Sequence, residues 1–566
     1  MTLDFISYLN SLHNLTPAGA NALAESQINT IYFNEIYSEF PIVQHIYNLL
    51  TKDKNNIIII TGHAGDGKST IAFDLIKRLD EKFQQYTFQK HEYSEKYNLN
   101  ILKDMSELSL SERIKWLSQA FNETDNWLIV SNTGPLLTSI TEYLKSIDLT
   151  QDIESEIFSL LNKEIYISDQ LESLDHLNLS LNIHNKKLFI INIAKLDNIE
   201  VALSIFKKII QHSSWHELVE SHPQHPIIQN YLSIKNNIEN VIHSIRLLYL
   251  YLLNYEKRLT LRQMLAHFCA SLTGGFQLED SPIHPIIFSD LFFGYQNHLP
   301  WENAFKLPAI HLLHTLNFAG YRSLEIEKLM ADLKNFEGIT PSLHSIIKNY
   351  IQKDQDSDIH LFKPALRRLI FIYNLYPTTY TNAQAQFLGS PNIEKYSEWR
   401  LDTQKFMAED ARQIKKMSLQ ALNLFFSGIS EDKYLNITLK RSDSSIFQIA
   451  QIKICSFMEK EFIVNYCNNK QQPYLTLKKE NEVRLELSLP LLDYIQNIIK
   501  GDITESLTPI YKTQLERFKL SLIEYSEIDH EDEITLVRTL SNGDIQENII
   551  KIELDLKQNK TLTLED

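Results

Sequence analysis

Glycine is scarce in this chain, with 14 in 566 residues. Tight left-handed turns and close backbone approaches need it, so any cluster of glycines carries weight. Cysteine is scarcer still: Cys269, Cys455 and Cys467 are the whole complement. Their spacing fits no metal-ligand pattern and supplies no disulfide framework, so free buried thiols in a reducing compartment are expected. No apolar run approaches the roughly 18 residues that span a bilayer. The start, Met1-Thr2-Leu3-Asp4, lacks a basic stretch followed by an apolar core, so no secretion signal is expected and a cytoplasmic location is. Basic residues are outnumbered, 55 Lys and Arg against 71 Asp and Glu, for a net charge of −16. That excludes a general nucleic-acid coat protein, but not a local basic groove or DNA held by a partner. No internal repeat, low-complexity linker or base-reading motif is present. The hydrophobic fraction of 43% is ordinary for a globular protein, and the length predicts about two to four domains.

Three of the 14 glycines fall within eight positions, Gly62-His63-Ala64-Gly65-Asp66-Gly67-Lys68-Ser69. This is a complete G-x-x-x-x-G-K-[ST] phosphate loop (Walker A), a pattern met by chance in a chain this long on the order of one time in a hundred. The glycines let backbone N–H groups press against phosphate oxygens. Lys68 is expected to reach the β- and γ-phosphates and the Ser69 hydroxyl to sit on Mg²⁺. The β-branched run Asn56–Thr61 leads into the loop and reads as a strand buried on both faces. Behind it, Ile71, Ala72, Leu75, Ile76 and Leu79 keep helical spacing from Thr70 onward. Strand, glycine loop, helix aims a helix N-terminus at a polyphosphate. The nucleotide-binding set is therefore Gly62, His63, Ala64, Gly65, Asp66, Gly67, Lys68, Ser69 and Thr70. His63, Ala64 and Asp66 occupy variable positions, and no role is assigned to their side chains.

Candidate strands at 86–91, 98–104, 127–132 and 187–193 alternate with helical stretches, including one at 111–121. This predicts an α/β P-loop NTPase core with a doubly wound parallel sheet over residues 45–225, after an N-terminal helical segment at 1–44. Residues 226–430 read as an all-α lid or middle domain. Ile238 to Leu252 and Leu259 to Leu272 keep helical spacing, the latter stopped by Thr273-Gly274-Gly275. Residues 431–566 read as a β-rich α+β interaction domain, with partly alternating segments at 434–440, 461–466, 482–488, 533–538 and 549–554 and helices near 490–500 and 508–524.

A phosphate loop needs an acid to hold the metal and a polar group to place water. Asp104, after Ile101 and Leu102, is in the right chain order for the acid, and Glu107 is placed to polarise water. Both also suit capping of the next helix. Asn132, ending the 127–131 strand, reads as a γ-phosphate sensor, or else as part of an Asn-Thr-Gly turn. Lys68, Asp104, Asn132 and Glu107 form the candidate catalytic set, with Ser69 and Asp104 as Mg²⁺ ligands. Asp197 lies too far past its strand to be preferred. Arg246 and Arg262 are candidate arginine fingers but read better as helix-surface cations. The pairs Arg367-Arg368 and Lys415-Lys416, with Arg412, suit phosphate contacts or, better, a solvated helix face. Glu553-Leu554-Asp555-Leu556-Lys557 holds an acid-x-Lys triplet, as in some metal-dependent nucleases, without the further acids such chemistry needs.

In order along the chain, the loop at 62–69, Lys103-Asp104-Met105-Ser106-Glu107, Ile129 to Leu137, Ile193-Ala194-Lys195-Leu196-Asp197-Asn198 and Leu261-Arg262-Gln263-Met264-Leu265 through Gly275 resemble the DptF family. These are the F subunits of DNA phosphorothioation-dependent (Dnd) restriction systems, and the resemblance covers most of the chain. It implies a Mg²⁺-dependent ATPase that works in anti-phage defence with sister restriction subunits on DNA lacking phosphorothioate modification. The acidic balance of the chain favours DNA contact through the complex over direct contact, and both stay open. The family roles carry over to Gly62, Gly65, Gly67, Lys68 and Ser69, and to Asp104 and Asn132. Three other readings stay open on the residues alone: a stand-alone AAA- or STAND-type regulatory NTPase, a nucleotide-binding scaffold that hydrolyses little, and a nucleoside kinase. The residues do not decide between ATP and GTP.

Overall fold

A computed structural model describes residues 4–13, 15, 30–52, 55–79, 90–147, 151–162, 178–180, 186–282, 284–297, 299–320, 327–328, 343–348, 362–376, 383–429, 433–439, 451–468, 470–501, 507–526, 533–539, 545–554 and 560–565. The chain divides into two compact units, Met1–Gly389 and Ser390–Asp566.

The first unit opens with helices α1 (Phe5–Ser11), α2 (Ile31–Ile36) and α3 (Ile42–Lys52). It continues through β1 (Asn56–Thr61), α4 (Lys68–Leu79), β2 (His91–Ser94), β3 (Leu99–Leu102), α5 (Leu110–Asn122), β4 (Asn126–Val130), α6 (Thr133–Ser146), α7 (Gln151–Asn162), β5 (Asn178–Ser180), β6 (Lys187–Asn192) and α8 (Ile199–Gln211). The sheet order is β2-β3-β4-β1-β6-β5. The four central strands are parallel, with Ile59 facing Ile129 on one side and Ile190 on the other. Both edge strands run antiparallel, so the sheet is mixed rather than wholly parallel. The central strands are apolar throughout because each of their faces is covered. Ile57, Ile59, Trp127, Ile129, Leu188 and Ile190 pack with Leu117, Phe121, Ile140, Leu144 and Leu160 from α5, α6 and α7. Their neighbours Ile58, Ile60, Leu128, Val130, Phe189 and Ile191 point the other way and are equally buried.

Helices then dominate: α9 (Ser214–Ser221), α10 (Pro226–Lys235), α11 (Ile238–Asn254), α12 (Leu261–Thr273), α13 (Phe288–Phe292), α14 (Pro308–Leu316), α15 (Phe362–Ile372) and α16 (Ala383–Leu388). Two short strands, β7 (Tyr295–Gln296) and β8 (Leu299–Pro300), interrupt them. α12 starts on a capping box between Thr260 and Gln263 and stops at Gly274, whose φ of +65° suits glycine.

The second unit holds α17 (Ile393–Leu401), α18 (Ala408–Phe426), β9 (Tyr434–Leu439), β10 (Gln451–Met458), β11 (Phe462–Cys467), β12 (Gln472–Leu477), β13 (Arg484–Glu486), α19 (Leu489–Ile499), α20 (Pro509–Tyr525), β14 (Glu533–Thr539), β15 (Ile545–Leu554) and β16 (Lys560–Glu565). Two antiparallel sheets form, β16-β15-β14-β10-β9 and β11-β12-β13. The division at 389/390 lies upstream of the expected boundary at 430/431, because α18 packs on β9, β11 and α19. The expected boundary at 45 falls inside α3, and the one at 225/226 coincides with the start of α10.

Of the expected second strand at 86–91, residues 86–89 lie outside the described residues; the strand observed is β2. In the acid-x-Lys triplet, Glu553 is on β15, and Asp555 and Lys557 lie outside the described residues. Cys269 is buried, while Cys455 and Cys467 are half-buried rather than buried as expected. Among the described residues no helix is long and apolar enough to cross a membrane.

Candidate functional site

The glycine loop emerges from β1 at the centre of the sheet, between the ends of β4 and β6. Gly62, Gly65 and Gly67 take φ of +149°, +91° and +98°, conformations that L side chains rarely adopt. Space reinforces the choice. A Cβ on Gly67 would lie 2.6 Å from Cζ of Phe40, and one on Gly62 would lie 2.9 Å from Ile193. Helix α4 begins at Lys68, so the N–H groups of its first turn have no partner within the helix and are free to meet an anion.

The Lys68 ammonium donates to the carbonyls of His63 at 2.7 Å and Gly62 at 3.1 Å. Burial pushes its pKa down from the ordinary lysine range, Asp66 and Asp104 push it back up, and Arg262 pushes it down. Lys68 is thus the meeting point of two acids and a second cation.

Neighbouring strand ends bring the other groups. Asp104 lies just past β3 and accepts the Ser106 N–H at 2.8 Å, capping the short helical turn Met105–Glu107. Asp104 thus caps this turn, while the helix α5 that follows is capped by Ser109 and Glu112 instead; Asp104 also has a place on the cavity wall. Glu107 is exposed at the same wall. Asn132 starts helix α6 as its N-cap but makes no side-chain capping bond. Its backbone N–H is held by Ser106 Oγ at 2.7 Å. The Ser106 hydroxyl thereby ties the ends of β3 and β4 together. The Thr61 and Thr133 hydroxyls, 3.2 Å apart, link the ends of β1 and β4 in the same way.

These groups line one cavity of about 290 Å³. Its wall includes Ala64, Gly65, Gly67, Lys68, Ser69, Thr70, Asp104, Glu107 and Asn132. It also includes Tyr8 and Leu12 from the first helical region, Phe33, Ile36, Tyr37 and Phe40 from the next, Ile205 of α8, and Leu261 and Leu265 of α12. Gly62, His63 and Asp66 are not on its wall: Gly62 and Asp66 are buried behind the loop, and His63 faces outward. The Tyr37 hydroxyl donates to Asp74 of α4 at 2.8 Å, which fixes the aromatic segment against the helix that follows the loop.

Two residues gained a place that sequence reasoning did not assign. Arg262, read as a helix-surface cation, lines the cavity, and its N–H donates to the Gly65 carbonyl at 3.0 Å. Asp66, given no side-chain role, is fully buried. It accepts the His63 N–H at 2.9 Å and pairs with Arg258 at 2.8 Å. The other charged candidates are accounted for otherwise. Arg246 forms a two-point pair with Glu200. Asp197 caps α8 through the Ile199 N–H. Arg367 and Arg368 are not on a solvated face: both are buried, Arg367 against Glu327 and Arg368 on Asp290 at 2.8 Å and over the Tyr295 ring. Lys415 pairs with Glu459, while Arg412 and Lys416 are exposed.

Chemically, the cavity wall has cationic and backbone N–H groups suited to a polyanion and rings suited to a flat apolar group. Among the described residues no cluster of three or more His, Cys, Asp or Glu side chains could hold a metal alone. A metal here would be held by Ser69, Asp104, phosphate oxygens and water, which suits Mg²⁺. No family model matches the chain, and neither a curated protein nor a solved structure matches it significantly.

Proposed function

We propose that the chain is a P-loop ATPase that binds Mg-ATP in this cavity and hydrolyses it. The observation that carries the reading is that one cavity wall combines the loop residues Gly65, Gly67, Lys68 and Ser69, the neighbouring Asp104, Asn132 and Arg262, and the rings of Tyr8, Phe33, Tyr37 and Phe40. A nucleoside triphosphate offers such a wall both a polyanion and a flat base. The reaction is attack of water on the γ-phosphorus, with ADP leaving. Lys68 and the first-turn N–H groups stabilise the charge gathering on the phosphoryl oxygens. Lys68 exchanges its two carbonyl partners for phosphate, so it arrives already oriented. The Asn132 amide, free of capping duty, holds the water, and Glu107 polarises it. Ser69 and Asp104 would hold Mg²⁺, which would neutralise charge on the phosphate oxygens.

The assembly reading rests on the resemblance to the DptF family. On it, the chain is the ATPase subunit of a cytoplasmic multi-subunit restriction complex acting on DNA without phosphorothioate linkages. The net charge of −16 favours contact with DNA through sister subunits. A second reading, a stand-alone regulatory NTPase of AAA or STAND type, is favoured by α12, which closes on the loop from within the same chain.

Photo-crosslinking with azido-ATP tests the site. Label is expected on residues 8–12, 33–40 and 261–265, and to vanish in Lys68→Ala. Label confined to other segments, or unaffected by the substitution, contradicts the reading. Turnover stimulated by sister subunits, and not by DNA alone, supports the restriction complex. Nucleotide-dependent self-assembly without partners supports the stand-alone NTPase.

A further inference from the structure

An acid inside a loop that receives phosphates works against binding unless its charge is cancelled. Asp66 is such an acid, and it is fully buried. One carboxylate oxygen accepts the His63 N–H at 2.9 Å and so shapes the loop itself. The other pairs with Arg258 Nη1 at 2.8 Å, and Nη2 of the same guanidinium donates to the Ile193 carbonyl at 3.3 Å. Arg258 lies just before α12. Four residues on, the Arg262 N–H donates to the Gly65 carbonyl. A Cβ on Gly65 would meet Cβ of Arg262 at 3.1 Å and Oγ1 of Thr260 at 3.2 Å. The segment 258–262 is therefore seated on the loop at two points, one ionic and one backbone.

We propose that Asp66 and Arg258 form a latch that couples nucleotide binding at the loop to docking of the head of α12. The inference rests on the nucleotide reading above. With Arg258 seated, the Asp66 charge is cancelled and the loop presents a net positive face to phosphate. With Arg258 withdrawn, a buried carboxylate stands unpaired in the loop. Lys68, already attracted by Asp66, is then drawn to it and away from the ligand. Each event favours the other, and by linkage the two effects are equal in size. Asp66 and Arg258 are positioning residues: neither lines the cavity.

The test uses the full chain and Mg-ADP as the probe, with wild type, Asp66→Asn, Arg258→Gln and the double variant. Calorimetry gives affinity, and hydrogen exchange follows residues 258–273. Arg258→Gln is expected to weaken binding by at least about tenfold, and the added Asp66→Asn to restore it to within about threefold of wild type. Mg-ADP is expected to slow exchange over 258–273 in wild type and not in the double variant, although that variant binds. A purely structural ion pair would give the affinity rescue without the loss of ligand-induced protection. Wild-type affinity in Arg258→Gln, no rescue in the double variant, or protection that persists there overturns the latch. If Arg258→Gln does not fold, Asp66→Asn decides: binding with protection lost supports the latch, and binding with protection kept overturns it. A wild-type chain that binds no nucleotide overturns the nucleotide reading and the latch together, whereas wild-type binding with an unaffected Arg258→Gln overturns the latch alone.

Discussion

Lys68 makes its bonds to loop carbonyls, so replacing it removes charge from the cavity without opening a core. Gly67 is the opposite case, because φ of +98° and the Phe40 ring both reject a side chain. Gly67→Ala is expected to destabilise the chain by about 1–3 kcal/mol and to abolish nucleotide binding; urea unfolding and calorimetry check both. A further prediction concerns His267, which is fully buried as the neutral form between the Tyr249 hydroxyl and the Phe292 carbonyl. Burial pushes its pKa from 6.5 down to about 4. Between those values the unfolded chain takes up a proton that the native chain refuses, so stability falls as pH drops from 6.5 to 4, by on the order of a few kcal/mol. Urea midpoints at pH 7 and pH 4.5 should differ less in His267→Gln than in wild type; an unchanged difference contradicts this. The roles of Asp66 and Arg262 were not legible in the sequence for a physical reason. Asp66 meets its partner 192 residues away, and no local spacing encodes that. Arg367-Arg368 misled because adjacent cations usually face water, whereas here buried or half-buried acids receive both.

At the scale of elements, the central strands were readable because burial on both faces leaves uninterrupted runs such as Ile57 to Ile60. Asp104 and Asn132 followed, since each lies just beyond such a strand. The strand β10 escaped notice because all but one of its residues are half-buried or exposed and its ladder is irregular between Lys453 and Cys455. The apolar residues of the cavity wall escaped as well, since α1, α2, α8 and α12 contribute to it from distant stretches of chain. Helix α12 is held at its head by Thr260, whose side chain accepts the Gln263 N–H. Thr260→Ala is expected to cost about 1 kcal/mol of stability and to weaken nucleotide binding, because Leu261, Arg262 and Leu265 are aimed by that turn. Thermal unfolding with and without Mg-ADP checks it; a loss of stability with no loss of ligand-induced stabilisation argues against α12 as part of the site.

At the scale of the molecule, every residue of the cavity belongs to the unit Met1–Gly389. A chain ending at 389 is therefore expected to bind Mg-ADP with wild-type affinity, and a tenfold loss in calorimetry would show that the site needs the β-rich unit. That unit has two antiparallel sheets of its own, and on the proposed assembly it would be the part left to meet sister subunits. The account turns on whether the cavity hydrolyses ATP. The most direct measurement is steady-state phosphate release by the purified chain, wild type beside Lys68→Ala, with and without sister subunits and duplex DNA. The account predicts turnover that falls at least about a hundredfold in Lys68→Ala while the variant keeps its fold and its assembly. Phosphate release equal in the two proteins, or absent from wild type under every condition although nucleotide binds, would contradict it.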